Sequence, residues 1–478
     1  MSKKLADKEK DFAQWYQDVI YATELVDESP VRGCYVIRPY AWKMWELMRD
    51  YLDDRIKETG HENAAFPLLI PESFIKREAE HIEGFAPELA VVTHAGGKEL
   101  EEPLVVRPTS ETTIHHSFSR WIKSWRDLPL KINQWANIVR WEKRPRPFLR
   151  TTEFFWQEGH TAHETHAEAE EEALLMLNEY VSFIQGQLAI PVIIGQKTEA
   201  EKFAGAEKTF TMEGIMPDGK ALQMGTSHLL SQNFAKAFDI VFQDREKKQA
   251  YPYLTSWGVT TRMIGALIMT HGDQKGLIIP PAVAPIQVVV VPIYRNDEER
   301  EAVQAQYDFI KTALNGLRVK FDEDMSKTPG AKFYHWEMRG VPVRLEIGKR
   351  DADAKHVVLV SRVTGEKTQA PFENLATIVQ KLMNDTQNVL YARARKKMDA
   401  NVFVGEKLEE FGPKMAESDF PNKEGGAYIT GWCGDPACEQ ELKKYKAFTR
   451  CLLDTHDVSF CMCCGKESKR DVLVAKAY

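Results

Sequence analysis

The sequence predicts a multidomain α/β protein, and three observations carry that prediction. The chain has 478 residues, which at roughly 150 residues per domain implies about three domains. Residues 1–285 are β-rich around a few long helical patterns, whereas 286–384 read strand, helix, strand, helix, strand. Residues 385–478 open on a basic helix and hold six of the seven cysteines, between Cys433 and Cys464.

Each element has its own signal. Residues 8–25 form an amphipathic helical pattern. A second helix starts at Pro39, a favourable first position, and carries Trp42, Trp45, Met48, Leu52 and Ile56 at helical spacing. It ends near Gly60, before an extended stretch over 66–71. Thr165 and Glu168 have the capping-box spacing that starts a helix over 166–188. In the second segment, 286–291 is apolar except for Gln287, as expected of a strand buried on both faces. Strands over 317–321 and 341–347 and a helix over 330–339 complete a βαβαβ order with a partly parallel sheet. The third segment opens on a helix bearing Arg393, Arg395, Lys396 and Lys397.

Composition narrows the function. The chain is 43% hydrophobic and 28% charged, with a net charge of −7. The N-terminus has no apolar core of the secretory kind, and the strongest apolar run, 286–293, is too short to span a bilayer. A cytoplasmic protein without a membrane partner is expected. The net charge does not advertise a nucleic-acid binder, but phosphate contacts need only a local basic face.

The densest chemistry lies at 133–160. If 133–142 is a strand, Arg140 and Glu142 share a face. A basic, proline-broken loop follows over 143–149. On the return strand Phe154, Trp156, Glu158 and His160 share one face. Burying so many ionisable groups costs several kcal/mol, in order of magnitude about what an unpaired charge loses. The alternative is a solvated polar face with two chance aromatics. The pattern Arg-x-Glu, a loop, then Arg150-x3-Phe154-x3-Glu158 resembles motif 2 of the class II aminoacyl-tRNA synthetases. That resemblance implies an antiparallel-sheet catalytic core in which Arg140 holds the α-phosphate of ATP and Phe154 stacks on adenine. It places Glu142 on the nucleotide or its Mg2+ and adds Arg150 to the ATP site. A guanidinium suits the role because it is always charged and grips phosphate oxygens in two places. Thr260-Thr261-Arg262, opening an apolar helical run, is similar to motif 3, so Arg140, Glu142 and Arg262 are the expected catalytic set. Residues 39–71, with Pro67, resemble motif 1, which builds the dimer interface in that family, so a homodimer is expected.

Four further stretches resemble the prolyl-tRNA synthetases: Arg107-Pro108-Thr109-Ser110-Glu111, Trp156-Gln157-Glu158-Gly159-His160, Gln223-Met224-Gly225-Thr226-Ser227-His228 and Ser256-Trp257-Gly258. The resemblance implies that Thr109, Glu111, Arg140, Trp156, Glu158, His160, His228, Ser256 and Gly258 contact L-proline. It implies that Gln223, Thr226, Thr260 and Arg262 contact ATP. An indole wall suits the apolar ring, and Thr109, Glu111 and Glu158 offer acceptors to the secondary ammonium. The implied activity is ATP-dependent formation of prolyl-adenylate, with release of pyrophosphate, and transfer of the prolyl group to the terminal adenosine of tRNA(Pro). A sibling synthetase and a silent paralogue are the alternatives; intact Arg140, Glu142 and Arg262 argue against the second. His160, His163 and His166 fall at steps of three but lack the His-Glu-x-x-His spacing of a zinc protease.

Cys433-x4-Cys438, 22 residues, then Cys461-x2-Cys464 makes two short-loop pairs suited to a closed, structural Zn2+ site. Cys451 and Cys463 are spare. A C-terminal zinc-binding module of this kind resembles that of the archaeal and eukaryote-like prolyl enzymes. In some relatives the terminal strand, here 472–478, packs back towards the catalytic domain. The segment 286–384 resembles the anticodon-binding domain of that class, with Glu337, Arg344, Glu346, Lys349, Arg350 and Asp351 as candidate base readers. Only about 100 residues separate His160 from Arg262, too few for the large editing domain that common bacterial forms insert there.

Overall fold

The computed structural model describes residues 5–78, 89–417 and 425–478. Its centre is an antiparallel array in the order Ile193–Gln196, Lys208–Ile215, Ala221–Ser231, Tyr253–Thr260, Glu153–His163, Leu130–Val139. The strand Glu153–His163 pairs on both sides without a register shift, so its side chains alternate. On one face Phe154, Trp156, Glu158 and His160 point towards a cavity. On the other, Phe155, Gln157 and Gly159 face the helical layer. That layer is the helix His166–Gly186, which buries Ala173, Met176, Leu177, Tyr180 and Phe183. Its start has both reciprocal bonds of the capping box, Glu168 N–H to Thr165 Oγ1 and Thr165 N–H to Glu168 Oε2.

Pro39–Glu58 forms the second helix as expected, with Pro39 in its first turn. The N-terminal helix is shorter than its pattern, Phe12–Ala22, because the Asp11 carboxylate accepts from Gln14 N–H and caps it there. Of the extended stretch 66–71, only Leu69–Pro71 pairs as a strand.

The strand expected over 133–142 runs Leu130–Val139, so Arg140 and Glu142 do not share a strand face. Arg140 still donates its N–H to Thr152 O at 2.8 Å. Beyond it the ladder stops, since Pro145 and Pro147 have no N–H to give. Glu142 sits in the turn, where its carboxylate accepts from Arg144 N–H.

The second segment is a five-stranded mixed sheet in the order Val319–Phe321, Val288–Ile293, Val343–Gly348, His356–Ser361, Lys367–Pro371. The first three strands are parallel and the last two pairings antiparallel. Val288 to Val291 are fully buried, as the continuous apolar run requires. A single helix, Leu375–Asp399, then leads onward, and the division expected at 384/385 falls inside it. No glycine or proline interrupts those residues, so nothing in the chain breaks the helix there.

The C-terminal strands extend the central sheet. Val402–Val404, Ala427–Trp432, Arg470–Ala475 and Phe448–Leu452 continue its order, joined through the pairing of Leu452 with Gln196. The terminal residues do pack back on the core: Ala221 N–H donates to Lys476 O and Tyr478 N–H to Ala221 O. Ile215 and Ala221 share one apolar cluster with Phe411, Tyr428, Val472 and Val474.

One close approach fixes the register of the central strands. Gly159 lies opposite Trp257, and a Cβ on it would stand 2.1 Å from the indole ring. Trp257 is itself wedged against His61 and Tyr180, with ring centroids 4.9 and 6.2 Å away. Gly159→Ala should therefore lower stability by about 1–3 kcal/mol, the usual range for overpacking. Denaturant unfolding that left the midpoint unchanged would show that Trp257 can move aside.

Candidate active site

Three rows of side chains cross the sheet on its open face. Trp156 pairs with Thr260; Glu158 with Gly258 and then Thr226; His160 with Ser256 and then His228. Residues opposite one another in antiparallel strands point the same way, so period-two alternation assembles the floor. The loop 107–111 closes one side. Arg107 anchors it, donating to Asn137 O at 2.8 Å and to Phe66 O at 2.9 Å. Ser110, whose Oγ accepts from Gln134 Nε2 at 3.0 Å, then leads into the helix Glu111–Trp121, which places Thr109 and Glu111, bonded to each other, at the cavity.

The enclosed space is about 300 Å³. It is lined by Thr109, Glu111, Arg140, Phe154, Trp156, Glu158 and His160, and by Gln223, Thr226, His228, Ser256, Gly258, Thr260 and Arg262. Two expected residues lie outside this lining. Glu142 is in the turn described above, and exposed Arg150 donates to Tyr478 O at 2.8 Å.

Glu158 is fully buried and accepts from Gln134 Nε2 at 2.8 Å, Ser110 N–H at 3.3 Å and His160 Nε2 at 3.2 Å. Burial alone would raise its pKa, but the bond to His160 and those from Ser110 and Gln134 outweigh it and hold the carboxyl below its usual range. Burial alone would lower His160, yet Glu158 and Glu111 raise it above an ordinary imidazole. His228 goes the other way, down to about 3, through burial and the neighbouring His160 charge. Its ring is fixed between Thr209 Oγ1 at 2.9 Å and Thr226 Oγ1 at 3.1 Å.

Two guanidinium groups flank the aromatics. Arg140 donates to Pro108 O at 3.0 Å, with its charge 5.5 Å from the Trp156 ring and 5.8 Å from the Phe154 ring. Arg262 opens the buried helix Arg262–His271 and donates to Gln223 O at 3.1 Å and Leu149 O at 3.3 Å. Burial and the Arg150 and Arg140 charges lower its pKa to about 10, so it stays a cation at neutral pH. Trp156 Nε1, His160 Nδ1 and Ser256 Oγ are buried without protein partners. Buried polar atoms are normally paired, so these three suit a polar ligand within the cavity.

Lys197, Glu201, Lys202, Phe203 and Thr209 also line the cavity, and no sequence signal pointed to them. They come from the loop that follows the short strand Ile193–Gln196 and, for Thr209, from the next strand, and only the strand pairing brings them to the site. The histidine triplet disperses: His163 bonds Thr161 Oγ1 at 2.7 Å and His166 bonds Glu207 at 3.0 Å.

The sulfurs of Cys433, Cys438, Cys461 and Cys464 lie within 4.8 Å of one another, and Cys433 is 3.8 Å from both Cys438 and Cys464. Four thiolates about 2.3 Å from one zinc ion form a tetrahedron with edges of about 3.8 Å, so the donor set fits that ion. Cys451 is buried on a strand and Cys463 is exposed, both outside the group.

The six candidate base readers fall into two groups. Glu337 and Arg344 line a second cavity of about 150 Å³ with Lys275, Trp336, Arg362 and Lys367. There Arg344 pairs with Glu346 at 2.8 Å and stacks on Phe333 at 4.2 Å. Lys349, Arg350 and Asp351 lie on the following short helix, where Lys349 pairs with Asp353 and Asp351 with His356.

Comparison with known proteins agrees with this architecture. Residues 92–271 match the tRNA synthetase class II core domain (G, H, P, S and T), 287–382 an anticodon binding domain, and 421–478 the prolyl-tRNA synthetase C-terminal domain. The chain is 49% identical to the proline–tRNA ligase of Symbiobacterium thermophilum, covering 100% of this chain and 98% of that protein. It is 50% identical to that of Chloroflexus aurantiacus, covering 99% of each. The crystal structure of prolyl-tRNA synthetase from Cryptosporidium parvum, complexed with halofuginone and AMPPNP, superimposes with a TM-score of 0.93 at 40% identity, over 99% of both chains. An antiparallel class II core, a mixed-sheet anticodon-binding domain and full-length identity near one half place this chain in the proline–tRNA ligase family of class II synthetases.

Proposed function

We propose that the cavity on the open face of the sheet is where this ligase joins L-proline to AMP. The observation that carries the reading is that one cavity combines both kinds of charge with aromatic walls. Glu158, Glu111 and Thr109 offer acceptors and Trp156 an indole, which suits a secondary ammonium on an apolar ring. Arg140 and Arg262 offer fixed cations and Phe154 a further ring, which suits adenine and its phosphates. The proline carboxylate attacks the α-phosphate in line, and pyrophosphate leaves. Arg140 stabilises charge developing at the α-phosphorus, and Arg262 holds the outer phosphates; donors already in place lose little in reorganisation. Gln223, Thr226 and Thr260 bind the nucleotide, and His160, His228, Ser256 and Gly258 shape the proline end. Mg2+ bound with ATP would neutralise phosphate charge; Glu142 is near enough in sequence to serve it but stands outside the cavity lining. The terminal adenosine of tRNA(Pro) then takes the prolyl group, the anticodon being read through the cavity lined by Glu337 and Arg344, with Glu346 paired to Arg344, and the Lys349–Arg350–Asp351 helix.

The reading extends to the type of enzyme. The residues between His160 and Arg262 are occupied by the helix His166–Gly186 and strands of the catalytic sheet, which supports an archaeal and eukaryote-like form without an editing insertion. Residues 1–285, 286–384 and 385–478 serve as catalytic, anticodon-binding and zinc-binding segments. The four clustered thiols hold one structural Zn2+. No described helix is long and apolar enough to cross a membrane, and a cytoplasmic setting fits the role.

Three measurements test these assignments. Proline-dependent ATP–pyrophosphate exchange should be strong and should fall by about 100-fold or more in Arg140→Ala. Alanine, which lacks the two ring carbons beyond Cβ, should support weaker but measurable exchange, because each missing methylene discriminates by only about 1–3 kcal/mol; a proline-independent signal would sink the reading. The purified chain should carry one zinc, and Cys438→Ser should lose it together with several kcal/mol of stability, roughly. Metal-free protein of unchanged melting temperature would refute the zinc assignment. Leu68 and Leu69, both 42% exposed beside Pro67, support a dimer through the 39–71 region, and sedimentation should give twice the chain mass rather than one.

A further inference from the structure

Behind the nucleotide end of the cavity lies a buried charge network that spans two parts of the chain. Glu213, on the catalytic strand Lys208–Ile215, is fully buried. Its Oε1 accepts from Lys197 Nζ at 2.8 Å and Thr211 Oγ1 at 3.0 Å. Its Oε2 accepts from Arg450 Nη2 at 2.9 Å and Nε at 3.1 Å. Arg450 comes from the C-terminal strand Phe448–Leu452, and its side chain is 9% exposed; that of Lys197 is 3% exposed. Of the three, Lys197 alone lines the cavity, beside Gln223, Thr226 and Arg262.

Within this triad two cations share one carboxylate, and the Glu201 carboxylate at the cavity also feels both Lys197 and Arg450. Arg450 does not line the cavity and Lys197 does, so Lys197 is the cation of the pair that a ligand there meets directly. Without Arg450, Glu213 would neutralise Lys197 outright. Its second oxygen would also be released towards Arg262, whose charge it already feels. Both changes make the cavity less attractive to an anion, and low-dielectric surroundings enlarge each of them.

We infer that Arg450 is a positioning residue for amino-acid activation, holding Glu213 so that Lys197 presents its ammonium to the phosphate-bearing ligand. The inference rests on the proposed reading of the cavity as the ATP site. It makes the C-terminal segment a contributor to nucleotide binding through a side chain that touches no substrate.

The test is steady-state pyrophosphate exchange by the full chain, with KM measured separately for ATP and proline. Arg450→Met should raise the KM for ATP about tenfold and leave that for proline within about twofold, a split that general loosening of the fold would not give. Arg450→Lys should restore the ATP KM to within about threefold of the parent. Lys197→Met should show the same split. It leaves Glu213 and Arg450 paired one to one, so it remains decisive if Arg450→Met does not fold. An unchanged ATP KM in folded Arg450→Met or in Lys197→Met, or equal rises in both KM values in either variant, overturns the inference. Failure of the parent chain to exchange at all would instead overturn the reading of the cavity on which it rests.

Discussion

A carboxylate with almost no access to water, Glu158, ties together the parts that make the site. Its three donors come from different elements: Ser110 N–H from the loop that starts a helix, Gln134 from the neighbouring strand, and His160 from its own. Taking a carboxylate out of water costs several kcal/mol, in order of magnitude, unless those bonds are made. The loop, the strand pair and the imidazole are therefore each constrained by the need to satisfy it. The outcome is an anion held below its ordinary pKa beside an imidazole held above, both facing the cavity.

The other face of the same strand makes that placement possible. Gln157 accepts from Tyr180 of the covering helix, and Trp257 lies flat over Gly159. A side chain at 159 would push the strand off that layer and carry Glu158 and His160 with it. The site's polarity and the core's tightness are thus two sides of one alternating strand, and neither can change without the other.

That alternation is why much of the site was legible. Phe154, Trp156, Glu158 and His160 follow from period two alone, and the capping box at Thr165 fixed where the covering helix begins. The polar ends of motifs were also plain in the sequence. What was not legible depended on register or on strand termination. Arg140 and Glu142 share a strand face only if the strand continues, and the two prolines after them stop it. Lys197, Phe203 and Thr209 reach the cavity because Gln196 pairs with Phe210 and Thr209 with His228, pairings that no local pattern encodes. The division expected at 384/385 followed a change in composition, whereas the backbone there has no reason to leave the helix. In the anticodon segment the charged residues were visible, but not that Arg344 and Glu346 would spend their charges largely on each other.

The C-terminal segment shows how distant features become mechanically linked. The cysteine cluster hangs on the strand Ala427–Trp432, since Met462 N–H donates to Gly431 O at 2.8 Å. That strand pairs with Arg470–Ala475, which pairs with Phe448–Leu452. The last of these carries Arg450 into the buried network and meets the catalytic sheet at Gln196. Among the described residues a single strand pair, Leu452 with Gln196, joins the two halves of the sheet at that edge, too little backbone hydrogen bonding to fix their relative position alone. The Arg450–Glu213–Lys197 contacts, the shared apolar cluster around Tyr428 and Val474, and the Tyr478 bonds to Ala221 and Arg150 supply the rest. A segment bound mainly by buried charges and a common core is not a detachable module. Its geometry is transmitted to the cavity because the carboxylate between them has no water to fall back on.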